Sequence, residues 1–369
     1  MRVRAWVCHA LTGDVLGELT LSGGSSFQNR FGGGTCRLSV SLAHLTTRDG
    51  LGVDWAAVSG THDRITPGRS TVLITVGTQV LGEWIVMQSA VSDPASTLDI
   101  SGMEWAGYPA LRSLNDNFHH TSTEQMVIAR KAWNQAYLSF NGAMAITIPT
   151  SGSTGVTRNM DHDSHGAYYS DVLEEIADAE DGFEWHVDVT ATFSGDVPTR
   201  AVRQVVWGAP VLQRGSPLVL NMFEPGARQG NLMSVSGGLN FARYAQSVYG
   251  IGAGEGDDRR WVGLSDPSGT NAGNLNSTKN VSFPGISDTP TLTKLTQAEL
   301  ERAQDLRDPY AVTARLDKLP TLPRVGYAAS INVTRSLAFP AGLSETLRVG
   351  QVDYSPSGHE VSTVSLLAA

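Results

Sequence analysis

The chain has 369 residues, 41% hydrophobic and 17% charged, enough apolar material to bury one large core or several smaller ones. The charged share lies below the usual quarter and the 39 glycines above their usual share, so Gly, Ser and Thr replace charge at the surface, a pattern of short strands and turns rather than helical bundles. The acidic excess, 36 Asp and Glu against 27 Lys and Arg for a net −9, argues against wrapping nucleic acid through its phosphates, and the chain is too apolar for intrinsic disorder.

The N-terminus, Met1-Arg2-Val3-Arg4-Ala5-Trp6, is basic but has no long apolar run or small-residue cleavage site, and reads as a first strand rather than a signal peptide. Residues 1 to about 105 alternate with period two. Val3, Ala5 and Val7 oppose Arg2, Arg4 and Trp6; Val15, Leu19 and Leu21 follow a turn at 11–14; Cys36, Leu38, Val40 and Leu42 follow Gly32-Gly33-Gly34. Strands at 71–76 and 80–87 and a last one at 98–102 complete a set spaced for a barrel or sandwich. The two cysteines, Cys8 and Cys36, allow at most one bridge, and their strand contexts suit small buried apolar residues.

The middle changes character. Ser122-Thr123-Glu124-Gln125 has capping-box form and predicts a helix through Met126, Ile128, Ala129, Ala132, Trp133, Ala136 and Tyr137. Ser170 is placed to cap a second helix bearing Val172, Leu173, Ile176 and Ala177. A strand with Phe183, Trp185, Val187 and Val189 on one side follows, with a return strand at 203–207, making an α+β unit. From about 230 strands return at 232–236, 244–249 and 261–264. Thr296-Gln297-Ala298-Glu299 reads as another capping box opening a helix through Leu300, Ala303 and Leu306. The C-terminus reads as a three-stranded antiparallel meander at 329–337, 347–354 and 361–367, with turns at 340–342 and 355–358. No window approaches the roughly 18 apolar residues of a membrane span. The fold class is therefore mainly β with an α+β insertion: a first β-domain at 1–110, the insertion at 111–230, and a second β-domain at 231–369 with a loop and helix excursion at 265–325.

Several constellations invite a chemical reading. Gly250-Ile251-Gly252-Ala253-Gly254-Glu255-Gly256 lacks the dinucleotide spacing: its sixth place is Glu255, and Asp257-Asp258 would repel phosphate. A strand in close contact with a neighbour explains it better. Asp161-His162-Asp163-Ser164-His165 has metal-ligand chemistry but no distant third His, so a solvated acidic loop is favoured; His119-His120 reads as a polar lead-in to the first helix. Gly-x-Ser-x-Gly is absent around Ser151 and Ser236. Glu174, Glu175 and Asp178, with Glu180-Asp181, could mimic a glycosidase pair but fall on the outer face of an amphipathic helix. Arg259-Arg260 beside Trp261 is an isolated basic pair. The residues thus name no catalytic group, no metal ligand and no cofactor.

Leu98 to Trp105 with Leu111 to Leu114, Tyr168 to Ala177 leading into Gly182 to Val187, and Arg348 to Tyr354 with the final strand resemble segments of one family, the phage tail hub proteins (baseplate hub or minor tail proteins). The Gly250–Gly256 segment with Arg259-Arg260 is similar to hub-like proteins of actinobacterial siphophages, and a bias of 23 Arg to 4 Lys fits such a host. The resemblance implies two small tube-like β-barrel domains flanking an α+β domain, in a structural, non-enzymatic virion protein assembled in the host cytoplasm. It implies a homotrimeric ring at the tail tip whose six barrels continue the tube. The implied partners are the distal tail or tail tube protein, the tape-measure protein, other tail-tip or fibre proteins, and DNA passing through the lumen during genome ejection. It carries over no site residues and no cofactor. Two other classes stay open: a carbohydrate-binding receptor-recognition tail protein, with Trp55, Tyr108 and Trp261 as candidate aromatics, and a cell-wall polymer hydrolase using the carboxylates or the 161–165 cluster.

Overall fold

The computed structural model describes residues 3–22, 24–41, 65–92, 97–138, 144–179, 181–222, 230–238, 240–304, 310–334, 339–355 and 361–367. The first third forms β1 (Val3–His9), β2 (Val15–Leu19), β3 (Ser26–Arg30), β4 (Thr35–Ser41), β5 (Ser70–Val76), β6 (Gln79–Ser92) and β7 (Thr97–Glu104), hydrogen-bonded antiparallel in the order β3-β4-β7-β6-β5-β1-β2. Their alternation serves two cores. Ala5, Val7, Val72, Ile74, Val86, Leu98 and Ile100 pack into one, whereas Trp6, Cys8, Leu73 and Ile85 enter another beneath the middle of the chain. Every residue of β5 is accordingly buried.

The middle comprises β8 (Phe118–Glu124), α1 (Gln125–Leu138), β9 (Ile146–Thr147), β10 (Thr157–His162), α2 (Tyr169–Ala177), β11 (Glu184–Ser194) and β12 (Val197–Gly208). β11 and β12 form a long hairpin with β9 parallel at its edge, and β8 pairs with β10. Trp133 of α1 meets Trp185 of β11 edge-on at 5.4 Å, joining helix to sheet. Both expected helices form, but their caps differ. Residues 118–124 stay in β8, so Ser122 cannot cap; Glu124 does, accepting from the Val127 N–H at 3.1 Å. At α2 the N-cap is Tyr168, whose N–H donates to Asp171 at 2.7 Å, and Ser170 lies inside the helix.

The last third contains β13 (Arg214–Asn221), β14 (Leu232–Ser236), β15 (Ser247–Ile251), β16 (Trp261–Ser265), α3 (Ser268–Asn271), β17 (Thr278–Ser282), α4 (Thr289–Gln304), β18 (Tyr310–Arg315), β19 (Tyr327–Val333), β20 (Leu343–Ser355) and β21 (Val361–Leu367). The meander β19-β20-β21 is antiparallel as expected; the turn expected at 355–358 lies largely outside the described residues. Other expectations need correction. β15 and β16 do not join the terminal sheet. With β17 they make a separate three-stranded sheet, because α4 covers their apolar face: Val248, Leu264 and Val281 pack with Leu300 and Ala303. The excursion is therefore 247–304, not 265–325. α4 starts at Thr289, where Asp288 accepts from the Thr291 N–H at 2.8 Å. Thr296 sits mid-helix, its hydroxyl donating to the Leu292 carbonyl at 2.7 Å. β13, expected within the insertion, pairs parallel with β19.

The expected pair of separate barrels is also corrected: the described strands close no barrel, and both ends share one thirteen-stranded sheet. The cause is the length of β20. One of its edges pairs with β19 over 343–348 and then with β3 over 351–354, while the opposite edge, paired with β21, shifts register between Val349 and Gln351. The sheet is antiparallel except for the β13–β19 pair. Phe27 of β3 touches Trp84 at 5.7 Å and Tyr354 of β20 at 6.2 Å, so one aromatic cluster spans the seam. No helix among the described residues is long and apolar enough to cross a membrane.

Candidate functional site

The 161–165 segment straddles the end of β10. The pairing of β8 with β10 sets Asp161 opposite His119, and the two side chains touch. His162 turns inward and bonds Glu175 of α2 at 2.8 Å, both side chains at least nine-tenths buried. Burial depresses His162, but the hydrogen bond and charge of Glu175 outweigh it and raise its pKa. Gly285 leaves room for this pair, since a Cβ there would lie 2.4 Å from the imidazole. His165 faces elsewhere, on a left-handed turn with φ 62° whose N–H donates to the Leu114 carbonyl at 3.0 Å. His120 stacks edge-on against Phe118 at 4.8 Å, and Lys131 lies over the same ring.

Asp161, Asp163, Asp171, Glu174, Glu175, Asp178 and Glu299 line an open cavity of about 490 Å³ between α2, the 281–285 segment and α4. Asp171, Glu174 and Asp178 are exposed, as the amphipathic pattern predicts, whereas Glu175 is committed to His162. Although both side chains reach solvent, partial desolvation against the cavity wall, and then the neighbouring Asp178 and Asp171, push Glu174 up, and desolvation also raises Asp178 against the pull of Arg302. Among the described residues no group of three His, Cys, Asp or Glu side chains is placed to hold a metal ion. Cys8 and Cys36 are free, buried thiols. Burial pushes Cys36 up to about 12 and Cys8 well above the usual thiol range, so neither is poised as a nucleophile.

The glycine run lies against α4. A Cβ on Gly250 would fall 1.9 Å from the Thr296 hydroxyl, and one on Gly252 would fall 2.7 Å from the Ile286 carbonyl. Two of its backbone groups pair within the protein, the Gly252 N–H donating to the Arg260 carbonyl at 2.9 Å and the Ala253 N–H to the Ile286 carbonyl at 2.8 Å. Gly250 thus meets a side chain of α4, and Gly252 the backbone of the segment just before it. Of the three candidate aromatics, Trp55 lies outside the described residues. Tyr108 is half-buried beside Trp105, while Trp261 is 67% exposed.

Sequence reasoning missed the polar junction where the three parts of the chain meet. Glu83 of β6 and Arg203 of β12 form a fully buried ion pair. Next to it a cavity of about 20 Å³ is lined by Asn29, Glu104, His186, Asp188, Arg214 and Arg324, among others. Glu104 accepts from the Gly34 and Arg30 N–H groups at 2.5 and 3.2 Å. The only sequence signal was the presence of charged residues at inward positions of alternating strands.

Compared with solved structures, the whole chain matches three tail proteins. A tail protein from Neisseria meningitidis MC58 has TM-score 0.58 and 12% identity, covering 99% of this chain and 96% of that one. A 43 kDa tail protein of prophage MuSo2 from Shewanella oneidensis gives 0.56 and 10%, covering 99% and 98%. A prophage tail protein, gp18, from Listeria monocytogenes EGD-e gives 0.51 and 11%, covering 98% and 94%. The fold is that of phage tail proteins. No protein-family model and no curated protein matches the sequence. The likeness in fold extends over 98–99% of the chain.

Proposed function

We propose that the chain is a structural tail hub protein of a phage, three copies of which form a ring at the tail tip that continues or caps the tube. The observation that carries this reading is the match of fold over the full length of both this chain and known tail proteins. The two ends of the large sheet, one from β1 to β7 and the other from β13, β14 and β18 to β21, would supply two tube-like modules per subunit, and three subunits would supply six. The module boundaries are those at 1–110, 111–230 and 231–369, with β13 passing to the second end module. Val219 on β13 and Met233 on β14 are exposed apolar side chains on strands at the margin of that module, as a subunit or tail-protein contact requires.

In this role the chain acts by shape rather than by chemistry, with no cofactor. Its partners are two further copies of itself, the distal tail or tube protein, the tape-measure protein and other tip or fibre proteins, and DNA crosses the lumen on ejection. The protein resides in the virion after assembly in the host cytoplasm; the host is an actinobacterium. Two measurements test the reading. Gold-labelled antibody against the chain should decorate the tip of purified tails, and negative-stain images of the protein co-expressed with its distal tail partner should show threefold rings. Labelling of the capsid, or a strictly monomeric protein in assembled tails, would overturn it.

A further inference from the structure

The β15–β16–β17 sheet has one covered face and one bare face. Val248, Val262, Leu264 and Val281 face α4 and its surroundings, as does Lys279, whose ammonium bonds Glu299 of the helix at 2.7 Å. Register puts Ser247, Tyr249 and Ile251 of β15 on the other face, with Trp261, Gly263 and Ser265 of β16 and Thr278, Asn280 and Ser282 of β17. Trp261 is 67% and Tyr249 41% exposed, their ring centroids 6.1 Å apart at 61°. Gly263 lies opposite Tyr249, and a Cβ there would come within 2.7 Å of the tyrosine ring, so its absence lets the ring lie across the neighbouring strand. The face thus carries two inclined aromatic rings ringed by hydroxyl and amide groups, and no formal charge.

We infer that this face is a binding site for neutral sugar units of a surface polysaccharide. Aromatic faces suit the apolar C–H face of a pyranose ring, and short hydroxyl and amide side chains suit its hydroxyls. Two physical arguments select this occupant. Three strands of five residues span roughly 17 Å by 10 Å, far below the roughly 800 Å² per partner of a stable protein interface but ample for one or two sugar rings. A nucleic acid could also stack on the rings, but its phosphates would need cations that the face lacks; Arg260, next to Trp261, is turned to Thr289 on α4. The site is independent of the hub reading, since it depends only on the excursion.

The test titrates the full-length protein with cellotriose, chitotriose, mannotriose, galactotriose and oligo-dT, read by tryptophan fluorescence and calorimetry. At least one neutral trisaccharide should bind, and Trp261→Ala and Tyr249→Ala should each weaken it about ten-fold or more. Lys279→Gln, on the covered face, should leave the affinity unchanged. Circular dichroism checks that each variant is folded; because Trp261 is mostly exposed, its replacement should preserve the fold. The inference is overturned if no trisaccharide binds at millimolar concentration, if affinity survives both aromatic substitutions, or if oligo-dT binds instead. A change in the mass of the assembly on Trp261→Ala would equally overturn it, by making the face a subunit contact.

Discussion

Arg203 and Glu83, 120 residues apart in sequence, face each other in a bidentate, fully buried ion pair with N–O distances of 2.7 and 2.6 Å. The carboxylate also accepts from the Trp105 indole at 3.0 Å and from the Thr71 hydroxyl, while the guanidinium donates to the Ala10 carbonyl at 2.7 Å and lies 4.3 Å over the Trp105 ring. Each polar atom of the pair is thereby satisfied without water, and the pair clamps the insertion hairpin onto the first module at one register.

Breaking that clamp should be costly. Arg203→Met or Glu83→Gln each leaves a buried group without its charged partner, and equilibrium urea unfolding should show a loss of about 3–5 kcal/mol. The double replacement Glu83→Leu with Arg203→Met should recover most of it, because two apolar groups leave no orphaned charge. A double variant as unstable as the singles would show that packing, not charge pairing, holds the junction.

Two groups lining the adjacent cavity set opposite pH dependences. Burial, against the pull of the Gly34 and Arg30 N–H groups, pushes Glu104 from 4.5 up to about 8. Burial, followed by the charge of Arg214, pushes His186 from 6.5 down to about 4, and Asp188 only partly offsets this. Glu104 favours the fold below 4.5 and loses that contribution as pH rises towards 8; His186 contributes above 6.5 and loses its share as pH falls towards 4. The slopes, each about 1.4 kcal/mol per pH unit, cancel between 4.5 and 6.5 and leave the Glu104 slope exposed from 6.5 to 8. The melting temperature of the protein should fall over that upper window relative to Glu104→Gln. Parallel curves for the two proteins would rule out a protonated Glu104.

Gly250→Ala places a methyl group into the Thr296 hydroxyl of α4. The expected cost is about 1–3 kcal/mol, read as a lower midpoint in thermal unfolding. Thr296→Ala in the same chain should return part of it, because the hydroxyl is the nearest obstacle. Full stability of the single variant would mean that α4 moves away freely.

The proposed ring has a charge consequence. Three copies sum to three times −9, or −27, and part of that charge should line the bore. Like charges within a Debye length, about 10 Å at 0.1 M salt, keep phosphates off the wall, whereas a basic wall would bind DNA through counterion release and slow its passage. The sign of the potential along the bore of a reconstructed tail tip decides this: a net positive lumen would contradict it even in a threefold ring.

The local patterns by themselves determined six of the seven strands of the first third (all but β3), both insertion helices, the strand at 183–189 with its return at 203–207, and the final meander, since period-two and period-3.6 burial are written in neighbouring residues. The close packing of the glycine run was legible too, since Gly250 and Gly252 lie where a Cβ would meet Thr296 and Ile286. Only the tertiary structure decided where each strand went. β15 and β16 alternate as well as any strand of the terminal sheet, and what excludes them is the helix α4 closing over Val248 and Leu264. β13 joins β19 across more than a hundred residues, and β20 joins β3 across more than three hundred, pairings that hydrogen-bonding edges select and hydrophobic period cannot encode. The same holds for Glu83 with Arg203 and for Tyr249 beside Trp261: burial of a charge or pairing of two rings depends on what the folded chain brings opposite, which alternation along one strand does not contain.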